Sequence, residues 1–210
     1  MKAGIMGRFS ALRSRCTGLL AHLAADTRGI AAVEFAMIMP LMMVMFFGMI
    51  DVSMGVGADR KVTMIAQSMA DLASRYTSVN DTDVANFMKI GDAMLTPYAA
   101  DALTVTISQV YLDPGANGLG KVQWSKGDAP RDAGSSITVP AGLIGKDASS
   151  NVLANQFLIL AEVTFAFKPI IGYVVPKAGM TLSQSSYTRP RQSACVYYSP
   201  ATACTTKTSP

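Results

Sequence analysis

The chain has 210 residues; half are hydrophobic, 15% are charged, and the formal net charge is +4. Average proteins are about a quarter charged, so the chain is unusually apolar, and its length suits one domain plus a short extra segment. All of the basic excess lies in residues 1–29, because the remaining residues carry 13 basic and 13 acidic side chains. A nucleic-acid interface would need a basic face on a folded domain, so this distribution argues against nucleic acid as a partner.

The first predicted elements are a basic leader at residues 1–29 and an apolar helix at residues 30–50. The apolar segment reads IAAVEFAMIMPLMMVMFFGMI and contains one charged residue, Glu34. As an α-helix it would be ~31 Å long, about the thickness of the hydrocarbon core of a bilayer. We therefore predict a single transmembrane helix that contacts the lipid bilayer.

The charges that flank this helix predict its orientation. The positive-inside rule puts the basic leader in the cytoplasm and residues 51–210 on the other side of the membrane. We predict that residues 51–210 form an extracytoplasmic α+β domain, from the helix and strand patterns described below. A cleaved secretory signal is the alternative, but it predicts an apolar core of ~7–15 residues and a small-x-small cleavage site. This segment is longer and no such site follows it, so an anchor is favoured.

The junction between leader and helix carries the main motif. Gly29 ends the leader, Ile30 starts the helix, and Glu34 and Phe35 stand at its fifth and sixth positions. This arrangement resembles the class III signal of type IV prepilins. The resemblance implies that a prepilin peptidase cuts between Gly29 and Ile30 on the cytoplasmic side.

A wider resemblance is to the TadE family of tight-adherence (Flp-type) pilus proteins. It is strongest at residues 31–36, Pro40-Leu41, Phe47-Gly48 and Asp51. At position 51, TadE sequences more often have Glu than Asp. Weaker similarity follows at Asp59–Thr63, Ala66, Ala70–Leu72, Ala161–Pro169 and Tyr187–Arg191.

The TadE resemblance implies a minor pilin, a pseudopilin or a pilus assembly protein. The expected location is the bacterial inner membrane, with the N-terminus cytoplasmic and the C-terminal domain periplasmic or carried into a surface pilus for adhesion. The implied partners are the prepilin peptidase, the major pilin, other minor pilins and the inner-membrane assembly platform. The alternative function is a membrane-tethered extracytoplasmic binding protein whose anchor is not cleaved.

Glu34 has a physical reason to act in assembly, together with the adjacent Phe35. A carboxylate in hydrocarbon is unfavourable by several kcal/mol unless it is paired. Cleavage after Gly29 would give Ile30 a free ammonium group, and Ile30 and Glu34 lie on one helix face at i and i+4. The alternative is that Glu34, ~6 Å below the interface, snorkels out to water.

Two helices are predicted before the strands. The first extends from about Ile30 to Arg75, because apolar residues recur at three- and four-residue spacing beyond the membrane segment. The second extends from about Asp83 to Ala99, with Asp81 or Thr82 as the N-cap. The apolar stripes are Val62, Ile65, Met69, Leu72 and Tyr76 in the first helix and Val84, Phe87, Met88, Met94 and Leu95 in the second.

Four strands are predicted after the helices. Apolar residues alternate with polar ones over 103–108. The strongest predicted strand covers 157–167 and ends before Pro169, and one of its faces consists of Phe157, Ile159, Ala161, Val163, Phe165 and Phe167. Residues 121–126 and 180–187 form the other two strands, and the Gly- and Ser-rich residues 127–150 form a loop. A long helix on an antiparallel sheet of about four strands is the general layout of pilins.

The chain offers little catalytic chemistry, so we predict no enzyme, no cofactor and no metal site. His22, the only histidine, lies in the leader, which rules out a Ser-His-Asp triad in the domain. The stretch 115–121 matches G-x-x-x-x-G-K, but Val122 stands where a phosphate-binding loop needs Ser or Thr, so a hairpin loop is favoured. Glu162 is expected at the solvated surface.

Two of the three cysteines are predicted to form a disulfide. Cys195 and Cys204 lie outside the membrane, where disulfides form, whereas Cys16 lies in the cytoplasmic leader. A metal site is the alternative, but it would need two more ligands, and none is nearby.

Overall fold

The computed structural model describes residues 29–99, 102–116, 118–169 and 179–204. The chain divides into two units, Met1–Met49 and Ile50–Pro210. The first unit contains the start of the N-terminal helix, and the second contains the remaining helices and strands.

Helix α1 is a single helix over Ile30–Ser74, within one residue of the predicted bounds. Pro40 lies inside it and removes one backbone hydrogen bond, yet the helix continues through this position. The most apolar stretch of α1 has no buried residue, and α1 is long and apolar enough to cross a membrane. Exposed side chains in this stretch include Phe35, Met37, Leu41 and Met45.

Beyond the membrane-length segment, α1 is amphipathic. Its buried residues recur at three- and four-residue spacing, which places them on one helix face. This face packs into the core of the second unit, as the sequence pattern predicted. It consists of Ala58, Val62, Ile65, Ala66, Met69, Ala70 and Ala73.

Helix α2 extends over Asp81–Leu95, and the predicted N-cap was wrong. The N-cap is Asn80, whose side chain accepts a hydrogen bond from the Asp83 N–H at 2.9 Å. The Asp83 carboxylate in turn accepts from the Asn80 N–H at 3.1 Å, which completes a capping box. The helix ends before the predicted Ala99, because Pro97 disfavours helical backbone at Thr96.

The main sheet has five antiparallel strands rather than about four. The strands of the described chain are β1 Ser78–Val79, β2 Leu103–Asp113, β3 Leu119–Gly127, β4 Ser136–Ile137, β5 Gln156–Phe167, β6 Met180–Thr188 and β7 Tyr197–Tyr198. The order in the main sheet is β4-β3-β2-β5-β6, and its unpredicted strand is the short β4, which lies within the stretch 127–150. A separate two-stranded parallel sheet pairs β1 with β7.

Each face of the main sheet contributes to a separate hydrophobic core. The core on the helix side contains Ile107, Ile159 and Val163, packed with the buried face of α1. The second core lies on the other face and is formed by Val110, Leu112, Val122, Ile137, Val139, Leu158 and Leu160. Because two cores meet at β5, its first half is buried on both faces, and only one face was predicted to be apolar.

A β-bulge in strand β3 controls which core its side chains reach. Gln109 pairs with Trp124 and Val110 pairs with Val122, so Gln123 is an extra residue in β3. In a regular strand Val122 and Trp124, two positions apart, would lie on the same face. Because of the extra residue, Val122 enters the second core while Trp124 packs on the helix-side core.

Candidate functional site

The residues predicted for processing and assembly all lie in the first turns of α1. The helix begins at Ile30, immediately after Gly29. Ile30 and Phe35 are 55% and 61% exposed, and Glu34 is exposed as well. These side chains are therefore exposed on the helix surface in the part of the chain that the structure describes, and their roles stay predictions.

Among the residues that the structure describes, neither packing nor backbone conformation requires a glycine at position 29. A Cβ atom at this position would meet no heavy atom within 4 Å in the part of the chain that the structure describes. Its φ is also outside the left-handed region that favours glycine. The glycine thus has no structural explanation within the described residues.

The charged residues of α1 beyond residue 58 attach the helix to the rest of its unit. Asp59 Oδ1 accepts a hydrogen bond from Gln184 Nε2 of β6 at 3.0 Å. Lys61 Nζ donates to the carbonyl of Met94 in α2 at 3.2 Å. These contacts give the Asp59–Thr63 motif a structural role, because they join α1 to both the sheet and α2.

Asp71 joins the end of α1 to the segment that follows β6. Its carboxylate forms ion pairs with Arg75 at 2.6 Å and with Arg191 at 2.7 Å. The Arg191 N–H also donates to the Ser74 carbonyl at 2.9 Å. Asp71 and Arg191 belong to two of the weaker TadE-like blocks, Ala70–Leu72 and Tyr187–Arg191, and the structure brings these two blocks into contact.

The C-terminal segment forms a covalent loop. Cys195 and Cys204 are joined by a disulfide, with their Cα atoms 6.3 Å apart, which confirms the predicted pair. Cys16 lies outside the described residues. No group of three His, Cys, Asp or Glu side chains among the described residues could hold a metal ion.

Two side chains of the sheet hold Val196, the residue next to Cys195. Gln109 Oε1 accepts a hydrogen bond from the Val196 N–H at 2.6 Å. Trp124 Nε1 donates to the Val196 carbonyl at 2.8 Å. Val196 is fully buried, so its backbone N–H and carbonyl need partners inside the protein. Gln109 of β2 and Trp124 of β3 provide them.

Sequence reasoning did not identify Gln109 as an anchor for this loop. Its position in β2 follows Val105 and Ile107 at period two, which places it on the helix-side face. A glutamine on an apolar face needs a hydrogen-bond partner. The polar side chain of Gln109 at an otherwise apolar position was therefore the sequence signal for a buried hydrogen bond. The partner lies 87 residues away and was not visible from local pattern.

Glu162 lies at the surface, as expected, and it is paired. Arg131 donates to both of its carboxylate oxygens, each at 2.6 Å. The Glu162 carboxylate raises the pKa of the Arg131 guanidinium through these hydrogen bonds. The pair joins β5 to the segment after β3, which supports a structural role.

The stretch that resembles a phosphate-binding loop belongs to the β2–β3 hairpin. A 3₁₀ turn at Pro114–Ala116 connects the strands, and Lys121 lies within β3 rather than at a helix N-terminus. Lys121 Nζ contacts Asp113 Oδ2 at 3.0 Å. Hydrogen bonds from Lys121 and from the Gly115 N–H lower the pKa of Asp113.

These features define an α+β protein whose described residues include one N-terminal helix of membrane-spanning length and composition. The family model for TadE-like protein matches residues 29–75, which confirms the resemblance over α1. The chain therefore carries a TadE-like segment that starts at Gly29 and ends just after Ser74. No curated protein and no solved structure matches the chain. The weaker similarity at 161–169 and 187–191 lies outside the family match and stays a prediction.

Proposed function

We propose that this chain is a minor pilin or pilin-like assembly protein of a tight-adherence pilus, held in the membrane by α1. The observation that carries the proposal is the TadE-like match over residues 29–75, which begins at the glycine before an apolar helix. The absence of any buried residue in the most apolar stretch of α1 supports a lipid or helix partner for that stretch.

The proposed orientation puts the N-terminus in the cytoplasm and the domain in the periplasm. It follows from the net +4 of residues 1–29 and the positive-inside rule. The disulfide between Cys195 and Cys204 agrees with this orientation, because disulfides persist in the oxidising periplasm. The membrane is then the bacterial inner membrane.

Processing between Gly29 and Ile30 is the first proposed step. Within the described residues nothing in packing or backbone conformation requires Gly29, which supports a role in recognition by a peptidase. Because α1 begins at Ile30, a cut at this bond would leave the helix intact. The mature chain would then start with the helix and carry a free ammonium on Ile30.

Glu34 is the proposed contact for assembly within the bilayer. An acidic side chain within a membrane helix is unfavourable unless it is paired or reaches the interface. Pairing with the ammonium of Ile30, in the same or a neighbouring subunit, would offset this cost. The exposed ring of Phe35 supplies apolar area beside the pair.

The domain beyond the membrane is proposed to have no enzymatic role. Its charged contacts at Asp59, Lys61 and Asp71 join its own elements, which suits a rigid body carried by a helix. The proposed partners of the whole protein are the prepilin peptidase, the major pilin, other minor pilins and the inner-membrane assembly platform.

Two measurements on the native protein test the proposal. N-terminal sequencing should give Ile30 as the first residue, and the chain should co-purify with assembly components or sheared pili. An intact Met1 together with no pilus association would favour the alternative, a membrane-tethered binding protein. Co-purification with sheared fibres would distinguish a fibre subunit from a factor that stays in the membrane.

A further inference from the structure

Three exposed apolar side chains lie close together where α1 enters the second unit. Val52 and Val56 of α1 are 49% and 50% exposed, and Met180 at the start of β6 is 43% exposed. All three line one groove of about 300 Å³ between α1 and the sheet. Val52 and Val56 are four residues apart, so they share one helix face. Val52, Val56 and Met180 thus form an apolar surface, which we call the basal patch.

The basal patch follows directly on the predicted membrane segment. Val52 and Val56 are two and six residues beyond Ile50, which corresponds to ~3 Å and ~9 Å along a helix axis. The headgroup layer on each side of the hydrocarbon core of a bilayer is about 5–8 Å thick. With residues 30–50 in the hydrocarbon core, Val52 lies within the headgroup layer and Val56 lies at its outer edge.

Contacts between the sheet and α1 hold Met180 at the level of the two valines. Gln184 of β6 donates a hydrogen bond to Asp59 Oδ1 of α1 at 3.0 Å. A Cβ atom added at Gly55 would lie 3.6 Å from Phe167 Cε1, so the end of β5 packs closely on α1. Phe167 is the partner of Met180 in the sheet. The part of the patch on the sheet therefore stays beside the part on the helix.

The charges beside the basal patch suit a phospholipid headgroup. Lys168, which follows Phe167 at the end of β5, is exposed. No fully exposed carboxylate among the described residues lines the groove, because Asp51 is fully buried and Asp59 is half-buried and bonded to Gln184. A cation beside an apolar surface is attracted to anionic lipid at a membrane surface.

We propose that the basal patch lies on the phospholipid headgroups of the membrane that α1 spans, with Lys168 paired to lipid phosphate. The inference rests on the proposed membrane anchor and adds a contact between the domain and the bilayer surface. Apolar side chains at this level enter the boundary between headgroups and acyl chains. The continuity of the patch with the membrane segment favours lipid over a protein partner. With this second contact, the domain does not turn freely about the end of the membrane segment.

Three exposed methionines allow a matched test with spin labels. Met42 lies in the predicted membrane segment and is 60% exposed, and Met180 lies in the basal patch. Met64 is 52% exposed and is ~21 Å beyond Ile50 along α1, which is clear of the headgroup layer. Each methionine is changed to Cys in the full chain, in which Cys16→Ser removes the remaining cysteine outside the disulfide.

The labelled chains are placed in vesicles of phosphatidylethanolamine and phosphatidylglycerol. Electron paramagnetic resonance then compares collisions of each label with oxygen, which is enriched in lipid, and with a water-soluble nickel chelate. We expect mainly oxygen collisions at Met42→Cys and mainly nickel collisions at Met64→Cys. The oxygen-to-nickel ratio at Met180→Cys should lie between these two and clearly above the ratio at Met64→Cys.

The same labels separate failure of this inference from failure of the proposed function. A ratio at Met180→Cys equal to that at Met64→Cys, with a lipid-like ratio at Met42→Cys, would overturn the basal contact and leave the anchor in place. A water-like ratio at Met42→Cys would refute the anchor itself. Few collisions of the Met180→Cys label with either reagent would show that protein covers the patch, and this result also overturns the proposal.

A charge reversal tests the pairing of Lys168 with lipid phosphate. Lys168→Glu should shift the label at Met180→Cys towards nickel collisions, and the shift should grow with the fraction of phosphatidylglycerol because like charges repel. Lys89→Glu makes the same charge change at an exposed residue of α2 and should leave the label unchanged. Equal behaviour of the two variants would overturn the assigned role of Lys168.

Discussion

Gln109 and Val196 are 87 residues apart in sequence, and the Gln109 side-chain oxygen accepts a hydrogen bond from the Val196 N–H at 2.6 Å. Gln109 is 1% exposed and Val196 is fully buried, so water cannot replace either partner. Together with the bond from Trp124, this contact fixes the C-terminal loop on the sheet.

We therefore expect Gln109→Met to destabilise the domain. Methionine nearly preserves the volume but leaves the buried Val196 N–H without its acceptor, which costs about 1–3 kcal/mol. Urea unfolding of the full chain in detergent, followed by Trp124 fluorescence, measures the change in free energy of unfolding. Gln67→Met, on the exposed face of α1, is the control and should shift it by less than about 0.5 kcal/mol. Equal effects of the two variants would contradict the assigned role.

The disulfide between Cys195 and Cys204 should be present in protein from the native envelope. Mass spectrometry of non-reduced peptides should find these two cysteines linked and Cys16 outside the pair. Cys204→Ser should lower the free energy of unfolding by about 2–3 kcal/mol in the loop-entropy account. Free thiols at both positions in native protein would rule the disulfide out.

The Asp113–Lys121 pair should make the β2–β3 hairpin sensitive to acid. Lys121 lowers the pKa of Asp113 in the folded chain below its unfolded value of about 3.9. The carboxylate thus adds stability above about pH 4, and this contribution is lost as the pH falls through the folded pKa. The stability difference between wild type and Asp113→Asn should therefore shrink below pH 4. A difference that stays constant from pH 7 to pH 3 would contradict this assignment.

Gly29→Ala should block removal of the leader. The change adds one methyl group where the described structure offers open space, so it should leave the fold intact. Immunoblots of cells that contain the prepilin peptidase should show the variant heavier than wild type by residues 1–29. Wild type in cells without the peptidase is the matching control and should run with the variant. If the variant and wild type have the same mass in peptidase-containing cells, the proposed cut is wrong.

Glu34→Leu should impair assembly while sparing insertion and processing. Leucine removes the cost of a carboxylate in hydrocarbon, so the helix should insert at least as well as wild type. The ammonium of Ile30 would lose its partner, and crosslinks to the major pilin should fall together with surface pili. Met37→Leu, an exposed apolar exchange on the same helix, should have no effect. Normal crosslinks and piliation in Glu34→Leu would show that Glu34 only snorkels to the interface.

The sequence alone determined the elements whose signals are local. A 21-residue segment with a single charged residue predicts a membrane-length helix from composition, and the spacing of Val62, Ile65 and Met69 predicts that the helix continues with one buried face. The blocks at residues 31–36, Pro40-Leu41, Phe47-Gly48 and Asp51 carried the TadE resemblance, which the match over residues 29–75 confirmed. These features depend on residues within one or two helical turns of each other, so the local sequence pattern is sufficient to predict them.

Only the tertiary structure decided how distant segments meet. The bulge at Gln123 directs Val122 and Trp124 to different cores, and no local pattern announces an extra residue in a strand. The short strand β4 is stabilised by pairing with β3 rather than by its own sequence pattern. Its residues were therefore predicted from the sequence to be part of a loop. The C-terminal loop likewise lies on the sheet because Gln109 and Trp124 bond to Val196 from distant parts of the chain, and the energy of these contacts depends on burial rather than on sequence spacing.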